Sequence, residues 1–268
     1  MAAFDPKDKG IVVTGAGNGI GAALARELGA RGARVVVADL DADGASRVAD
    51  EITAAGGTAY AAPGDAASEE GVAALVATAR GRLGAIDAWY ANAGVDRGRG
   101  LEAPESDWDL SLQVNVMAHV RAARLLVPEW AERGAGRFVV TASAAGLLTM
   151  LGAPAYSATK HAAVAFAEWL SVTYRHRGVV VQAICPQGVR TRMLEQSGDL
   201  EELLSHDTAL TPEQVATQAV DALAGDEFLI LPHPEVAGYY ATRAGATDKW
   251  LHGMNKLQQR LEEKESTR

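Results

Sequence analysis

The sequence predicts an α/β fold: a doubly wound parallel sheet of seven strands, helices on both faces and a helical C-terminal tail. Three observations carry this. Short, continuously apolar runs recur along the chain, as strands buried on both faces require. Longer segments of helical period separate them, and right-handed crossovers turn that alternation into a parallel sheet. No linker divides the 268 residues, a length that suits one large α/β domain over 1–268.

The strands are expected at Ile11–Val13, Arg34–Ala38, Thr58–Ala62, Ala88–Ala91, Arg137–Thr141, Val179–Ile184 and Phe228–Leu231. Helices are expected at about Gly19–Arg31, Asp43–Ala55, Ser68–Arg82, Asp107–Glu132, Ala155–Arg175 and Pro212–Ala224. The stretch 190–210 has weak periodicity and lies between a strand and a helix. It reads either as a substrate lid or as an ordinary surface excursion. After the last strand, Pro232-His233-Pro234 leads into a helical tail over 235–265. Trp250, Met254, Leu257 and Leu261 fall on one face of that tail and must be buried against their own subunit or a partner.

Composition excludes several function classes. A formal charge of −9 argues against general nucleic-acid binding and against adsorption to anionic membranes. With Cys185 as the single cysteine, no intrachain disulfide and no cysteine-rich metal site can form, and no other ligand cluster suggests a metal. Met1–Lys9 carries no signal-type apolar stretch. No run approaches the roughly 18 apolar residues that span a bilayer. A soluble cytoplasmic protein is expected.

Thr14-Gly15-Ala16-Gly17-Asn18-Gly19-Ile20-Gly21 follows the first strand and opens the first helix. Glycines there let the backbone turn tightly and approach a pyrophosphate, while the helix N-terminus offers free N–H groups. A glycine-rich turn alone says little; its strand–turn–helix setting makes it a dinucleotide site of Rossmann type. Asp39 ends the second strand, where a carboxylate can accept both adenosine ribose hydroxyls and repel a 2′-phosphate. Leu40 follows it and no Arg or Lys lies in the glycine turn, so NAD is expected over NADP. The alternative for Asp39 is a helix N-cap, a role Asp41 or Asp43 could fill instead.

Tyr156 and Lys160 are four apart in a helical segment and so share a face. Ser143 lies just past the fifth strand, and Asn92-Ala93-Gly94 and Pro186 follow two others. Strand C-termini face the ligand crevice in such a sheet, so these residues converge on one rim. Asn115, flanked by Val114 and Val116 inside a long helix, reads either as a satisfied core amide or as a functional group.

Taken together, the residues resemble the short-chain dehydrogenase/reductase family. The matching elements are TGAGNGIG at Thr14–Gly21, Asp65 after the third strand, NAG at Asn92–Gly94, Asn115, Ser143, and YSATK at Tyr156–Lys160. They occur in the family's order and spacing over about residues 8–231. The resemblance implies that Gly15, Asn18, Gly19, Ile20 and Gly21 hold the pyrophosphate, with Asp39 and Leu40 at the adenosine ribose. Asp65 and Ala66 would meet the adenine edge. Asn92, Ala93 and Gly94 would contact the riboses and backbone of NAD, and Pro186, Val189 and Thr191 the nicotinamide end. Ser143 would bind the substrate oxygen, Tyr156 transfer the proton, Lys160 bind the nicotinamide ribose, and Asn115 support a water relay. A free phenol with a pKa of about 10 is a poor base at neutral pH. The Lys160 ammonium and a cationic nicotinamide are expected to lower it.

The implied reaction moves a hydride between nicotinamide and a secondary alcohol or ketone. Val95, Ala145, Leu147, Leu148, Met150, Leu151, Met193 and Leu194 favour a bulky apolar substrate of steroid, terpenoid or lipid type. Arg97, Arg190 and Arg192 could instead favour a carboxylate-bearing one. An NADPH-dependent biosynthetic ketoreductase and a non-catalytic NAD(H)-binding regulator are the alternatives. Three features depart from the family pattern: Tyr90 before the NAG motif, Gln187 after Pro186, and the Pro-His-Pro ending. The last weakens the case for a tetramer. A homodimer through the faces of Asp107–Glu132 and Ala155–Arg175 is expected.

Overall fold

The computed structural model describes residues 4–195 and 209–266. Seven strands form one sheet: β1 Gly10–Thr14, β2 Arg34–Asp39, β3 Thr58–Pro63, β4 Ala88–Ala91, β5 Gly136–Thr141, β6 Val179–Ile184 and β7 Leu229–Ile230. Their order is β3-β2-β1-β4-β5-β6-β7, and every pairing is parallel. β1 sits between β2 and β4, with Val12 opposite Val36 on one side and Trp89 on the other. The winding direction reverses there, which opens a crevice at the C-terminal ends of β1 and β4.

Strand side chains alternate between two cores. Val12, Val36, Trp89, Phe138, Val140 and Val181 face the layer of α3 Glu69–Leu83, α5 Ala118–Arg133 and α6 Pro154–Tyr174. Ile11, Val13, Val35, Val37, Val139 and Ile184 face α1 Gly19–Ala30, α2 Ala42–Ala54 and α8 Pro212–Asp221. Local chemistry sets the helix starts. Ser68 Oγ accepts the Gly71 N–H at α3, and Thr211 and Gln214 cap α8 reciprocally.

The predicted helix Asp107–Glu132 is interrupted. It comprises α4 Glu105–Leu112, a π turn at Gln113–Met117, and α5. Such single wide turns cluster at functional positions, and this one carries Asn115. β7 is shorter than its predicted span, with only Leu229 and Ile230 paired, to β6. In the stretch 190–210, α7 Arg192–Glu195 opens the excursion and a Val189–Leu210 bridge closes its base. Residues 196–208, on which the lid expectation rests, lie outside the described residues. The tail forms two helices, α9 Glu235–Gly245 and α10 Thr247–Ser266, broken where Ala246 leaves helical geometry. Among the described residues, no helix is long and apolar enough to cross a membrane.

Candidate active site

A cleft of about 1450 Å³ runs along the C-terminal ends of the strands. A typical small-molecule pocket holds about 300–1,000 Å³, so this one has room for more than one ligand.

At one end stands the glycine turn. Gly15 and Gly19 have φ of +62° and +53°, which side-chain-bearing residues avoid. A Cβ on Gly21 would lie 2.1 Å from the Gly15 carbonyl oxygen, so only glycine lets α1 start this close to the turn. Replacing Gly21 by Ala is expected to destabilise the fold by about 1–3 kcal/mol, the usual cost of overpacking, and to weaken NADH binding. Thermal melts and NADH titration check this; a wild-type melt with wild-type affinity would contradict it. The start of α1 fits an anionic ligand. Its N-cap Asn18 makes no side-chain cap bond and its first turn holds no acidic residue. By contrast α3 has both a serine cap and Glu69 and Glu70 in its first turn. The uncapped N–H groups of α1 are therefore available to a pyrophosphate.

Asp39 is locked in place by backbone donors. Its Oδ2 accepts the Gly17 N–H at 2.8 Å and its Oδ1 the Asp41 N–H at 2.9 Å. Asp41, not Asp39, is the N-cap of α2. Asp65 is held likewise, accepting from the N–H groups of Ala67 and Ser68 at 2.7 and 3.2 Å. Its hydrogen bonds to Ser68 lead the effects that keep its pKa below the ordinary carboxylate value. Asn92 joins β1 to β4. Its Nδ2 donates to the carbonyls of Thr14 and Gly15, and its N–H, with that of Ala93, donates to Thr14 Oγ1.

At the other end are Ser143, Tyr156 and Lys160. Ser143 leaves β5 in extended geometry, and its hydroxyl accepts the Ala145 N–H at 3.0 Å. Tyr156 and Lys160 project from the first turns of α6, with the Lys160 Nζ 5.5 Å from the phenol centroid. That ammonium donates to the Thr141 carbonyl at 2.8 Å. Burial pushes the Tyr156 phenol up to about 12, against a lowering hydrogen bond with Ser143. Burial pushes Lys160 down to about 8. The lowered phenol pKa expected from the sequence is thus not supplied by the chain alone; desolvation outweighs the Ser143 hydrogen bond.

Every residue named from the sequence as cofactor-binding lines this one cleft: Gly15, Asn18, Gly19, Ile20 and Gly21; Asp39 and Leu40; Asp65 and Ala66; Asn92, Ala93 and Gly94; Tyr156 and Lys160; Pro186, Val189 and Thr191. Ser143 lines it too. Asn115 does not. Fully buried, its Oδ1 accepts the Val95 N–H, and its Nδ2 donates to the Val95 carbonyl and Thr159 Oγ1. It ties the loop after β4 to α6; both Nδ2 hydrogens are used, and Oδ1 keeps a second acceptor position. Leu147, expected in the substrate pocket, is 2% exposed and does not reach the cleft, whereas its neighbour Leu148, in the same core, also lines the cleft. Arg97 lines the cleft, whereas Arg190 and Arg192 do not.

The departures from the family pattern find places. Tyr90 packs in the core beneath α1 and takes no part in the cleft. Gln187 and His233 meet: the Gln187 N–H donates to His233 Nδ1 at 3.1 Å. Sequence reasoning missed Leu110, Val114, Tyr239, Trp250, Met254 and Leu257, which also line the cleft. Only the apolar stripe of the tail could have pointed to the last three.

A family model described as short chain dehydrogenase matches residues 9–202. The chain belongs to the short-chain dehydrogenase family. The Streptomyces exfoliatus protein named 1-deoxy-11-beta-hydroxypentalenate dehydrogenase is 37% identical over 245 residues, covering 90% of this chain and 88% of that one. A short-chain dehydrogenase/reductase from Burkholderia phymatum, solved in complex with NAD, superposes with a TM-score of 0.84 at 30% identity. The match covers 91% of this chain and 96% of that one. A 7α-hydroxysteroid dehydrogenase, solved with NADH and 7-oxoglycochenodeoxycholic acid, superposes with a TM-score of 0.78 at 26% identity. There the match covers 85% of this chain and 94% of that one. This short-chain dehydrogenase is accordingly an NAD(P)-dependent oxidoreductase acting on CH–OH groups of small-molecule alcohols or the corresponding ketones.

Proposed function

We propose that the protein is an NAD-dependent dehydrogenase of bulky, apolar secondary alcohols, with Tyr156 as the proton-transferring group. One observation carries the reading: Ser143, Tyr156 and Lys160 line the same cleft as the glycine turn. The Asp39 carboxylate, held at the end of β2, would accept the adenosine ribose hydroxyls and repel a phosphate there. Apolar cleft residues such as Leu148, Met150 and Leu151 favour a large hydrocarbon body. Relatives named for a hydroxypentalenate and a hydroxysteroid support the same substrate class.

A bound nicotinamide supplies the hydride acceptor or donor and, when oxidised, a positive charge beside the phenol. Ser143 would hold the substrate oxygen. Tyr156 Oη would take the alcohol proton during oxidation and return it during reduction. The Lys160 ammonium would hold the nicotinamide ribose while anchored on the Thr141 carbonyl. Asn115 would keep the β4 loop and α6 in register so that these groups meet. The exposed Leu112, Leu125, Trp169 and Val172, around α4, α5 and α6, support a homodimer through that face.

The pH dependence follows in sign. Only the phenolate accepts a proton, and burial raises the phenol pKa. Alcohol oxidation should therefore speed up as pH rises, by about tenfold per unit while the phenol stays protonated, and ketone reduction should slow at high pH. Initial rates from pH 6 to 10 check this; an oxidation rate flat across that range would remove Tyr156 as the base.

A further inference from the structure

The C-terminal hairpin contributes a wall to the reaction cleft. Tyr239 of α9 and Trp250, Met254 and Leu257 of α10 line the space that also holds Ser143 and Tyr156. Apart from its apolar stripe, α10 is strongly charged, with Lys249, Lys256, Arg260, Glu262 and Glu263 along it. The stripe is only half-buried in the chain itself. Part of Trp250 packs on the main core, and its ring lies 6.4 Å from that of Tyr239, tilted at 41°.

The hairpin is fastened to the catalytic segments rather than draped over them. His233, just before α9, accepts the Gln187 N–H from the loop after β6. Val236 is fully buried. The Arg243 guanidinium donates to the Leu147 carbonyl, in the segment between Ser143 and Tyr156. A half-covered apolar face, held by such bonds and lining the cleft that also holds Ser143 and Tyr156, gains most when an apolar molecule displaces its water.

We propose that the hairpin is a specificity-determining wall, with Trp250, Met254 and Leu257 gripping the hydrocarbon body of the alcohol whose hydroxyl meets Ser143 and Tyr156. This rests on the dehydrogenase reading above and adds the element that selects for bulk.

The test compares cyclohexanol with 2-decalol, two secondary alcohols that differ by one fused ring, in the full-length protein with NAD. Trp250→Ala should lower the 2-decalol to cyclohexanol ratio of kcat/KM about tenfold, mainly through the 2-decalol KM. Met254→Trp, which fills the wall instead, should lower the same ratio by blocking the larger ring. An unchanged ratio in both variants, with melts and NADH affinity like wild type, would overturn the wall and leave the dehydrogenase reading standing. A wild type inert toward both alcohols would sink that reading instead. Calorimetric titration of 2-decalol into the NADH complex then tests the wall: loss of binding in Trp250→Ala supports it, and equal binding overturns it.

Discussion

Replacing Tyr156 by Phe is expected to reduce turnover by about 10³-fold or more, while NADH affinity stays within about twofold of wild type. The substitution removes one hydroxyl and keeps the ring. That ring packs with Ala145 and Ala153, and Met150 lies against it, so the shape of the cleft persists. Burial raises the pKa of the hydroxyl by disfavouring its ionised form. With only one hydroxyl lost, the melting temperature should stay close to that of wild type. Three measurements check the result: steady-state NADH production from 2-decalol, an NADH fluorescence titration and a thermal melt. Retained turnover would refute the assignment. Lost turnover with a collapsed melt would show that the hydroxyl is needed for the fold rather than for proton transfer.

The second large effect concerns Asp39. Changing it to Asn keeps the size and one acceptor oxygen but removes the charge. The ratio of kcat/KM for NAD over NADP should fall about 100-fold, chiefly through KM. Two repulsive or attractive contacts change together, loss of charge-assisted bonds to ribose hydroxyls and loss of repulsion toward a 2′-phosphate. Because Asp39 also anchors the N–H groups of Gly17 and Asp41, a parallel NADH titration is needed. A ratio that stays at the wild-type value would show that Asp39 serves only to hold the turn.

Much of this was legible in the sequence, for reasons that differ by residue. The strands could be placed because a parallel sheet buried on both faces leaves unbroken apolar runs. The glycine turn was legible because Gly15, Gly19 and Gly21 answer steric demands few other residues meet. Tyr156 and Lys160 were legible because helical spacing fixes their common face.

Other features had no such signature. The π turn at Asn115 leaves the apolar pattern around it almost unchanged, so a continuous helix was the natural expectation. Leu147 and Leu148 part company inside an irregular segment, where no period says which side chain turns inward. The stripe on α10 announced that something must cover it, but periodicity names a face and not its neighbour. Gln187 and His233 stood out separately as departures; only the folded chain shows that each answers the other.

The reversal of winding between β1 and β4 has a consequence for how the enzyme comes into being. The glycine turn and Asp39 belong to the strands β1 and β2, whereas Ser143, Tyr156 and Lys160 come after β4, much later in synthesis. The two halves of the cleft meet only once β4 has docked on β1, a pairing between segments about 77 residues apart. A ribosome-bound fragment or a half-folded intermediate therefore lacks either the place for the dinucleotide or the groups that move the proton. Catalysis in this chain is a property of finished topology, since it requires β4 paired on β1.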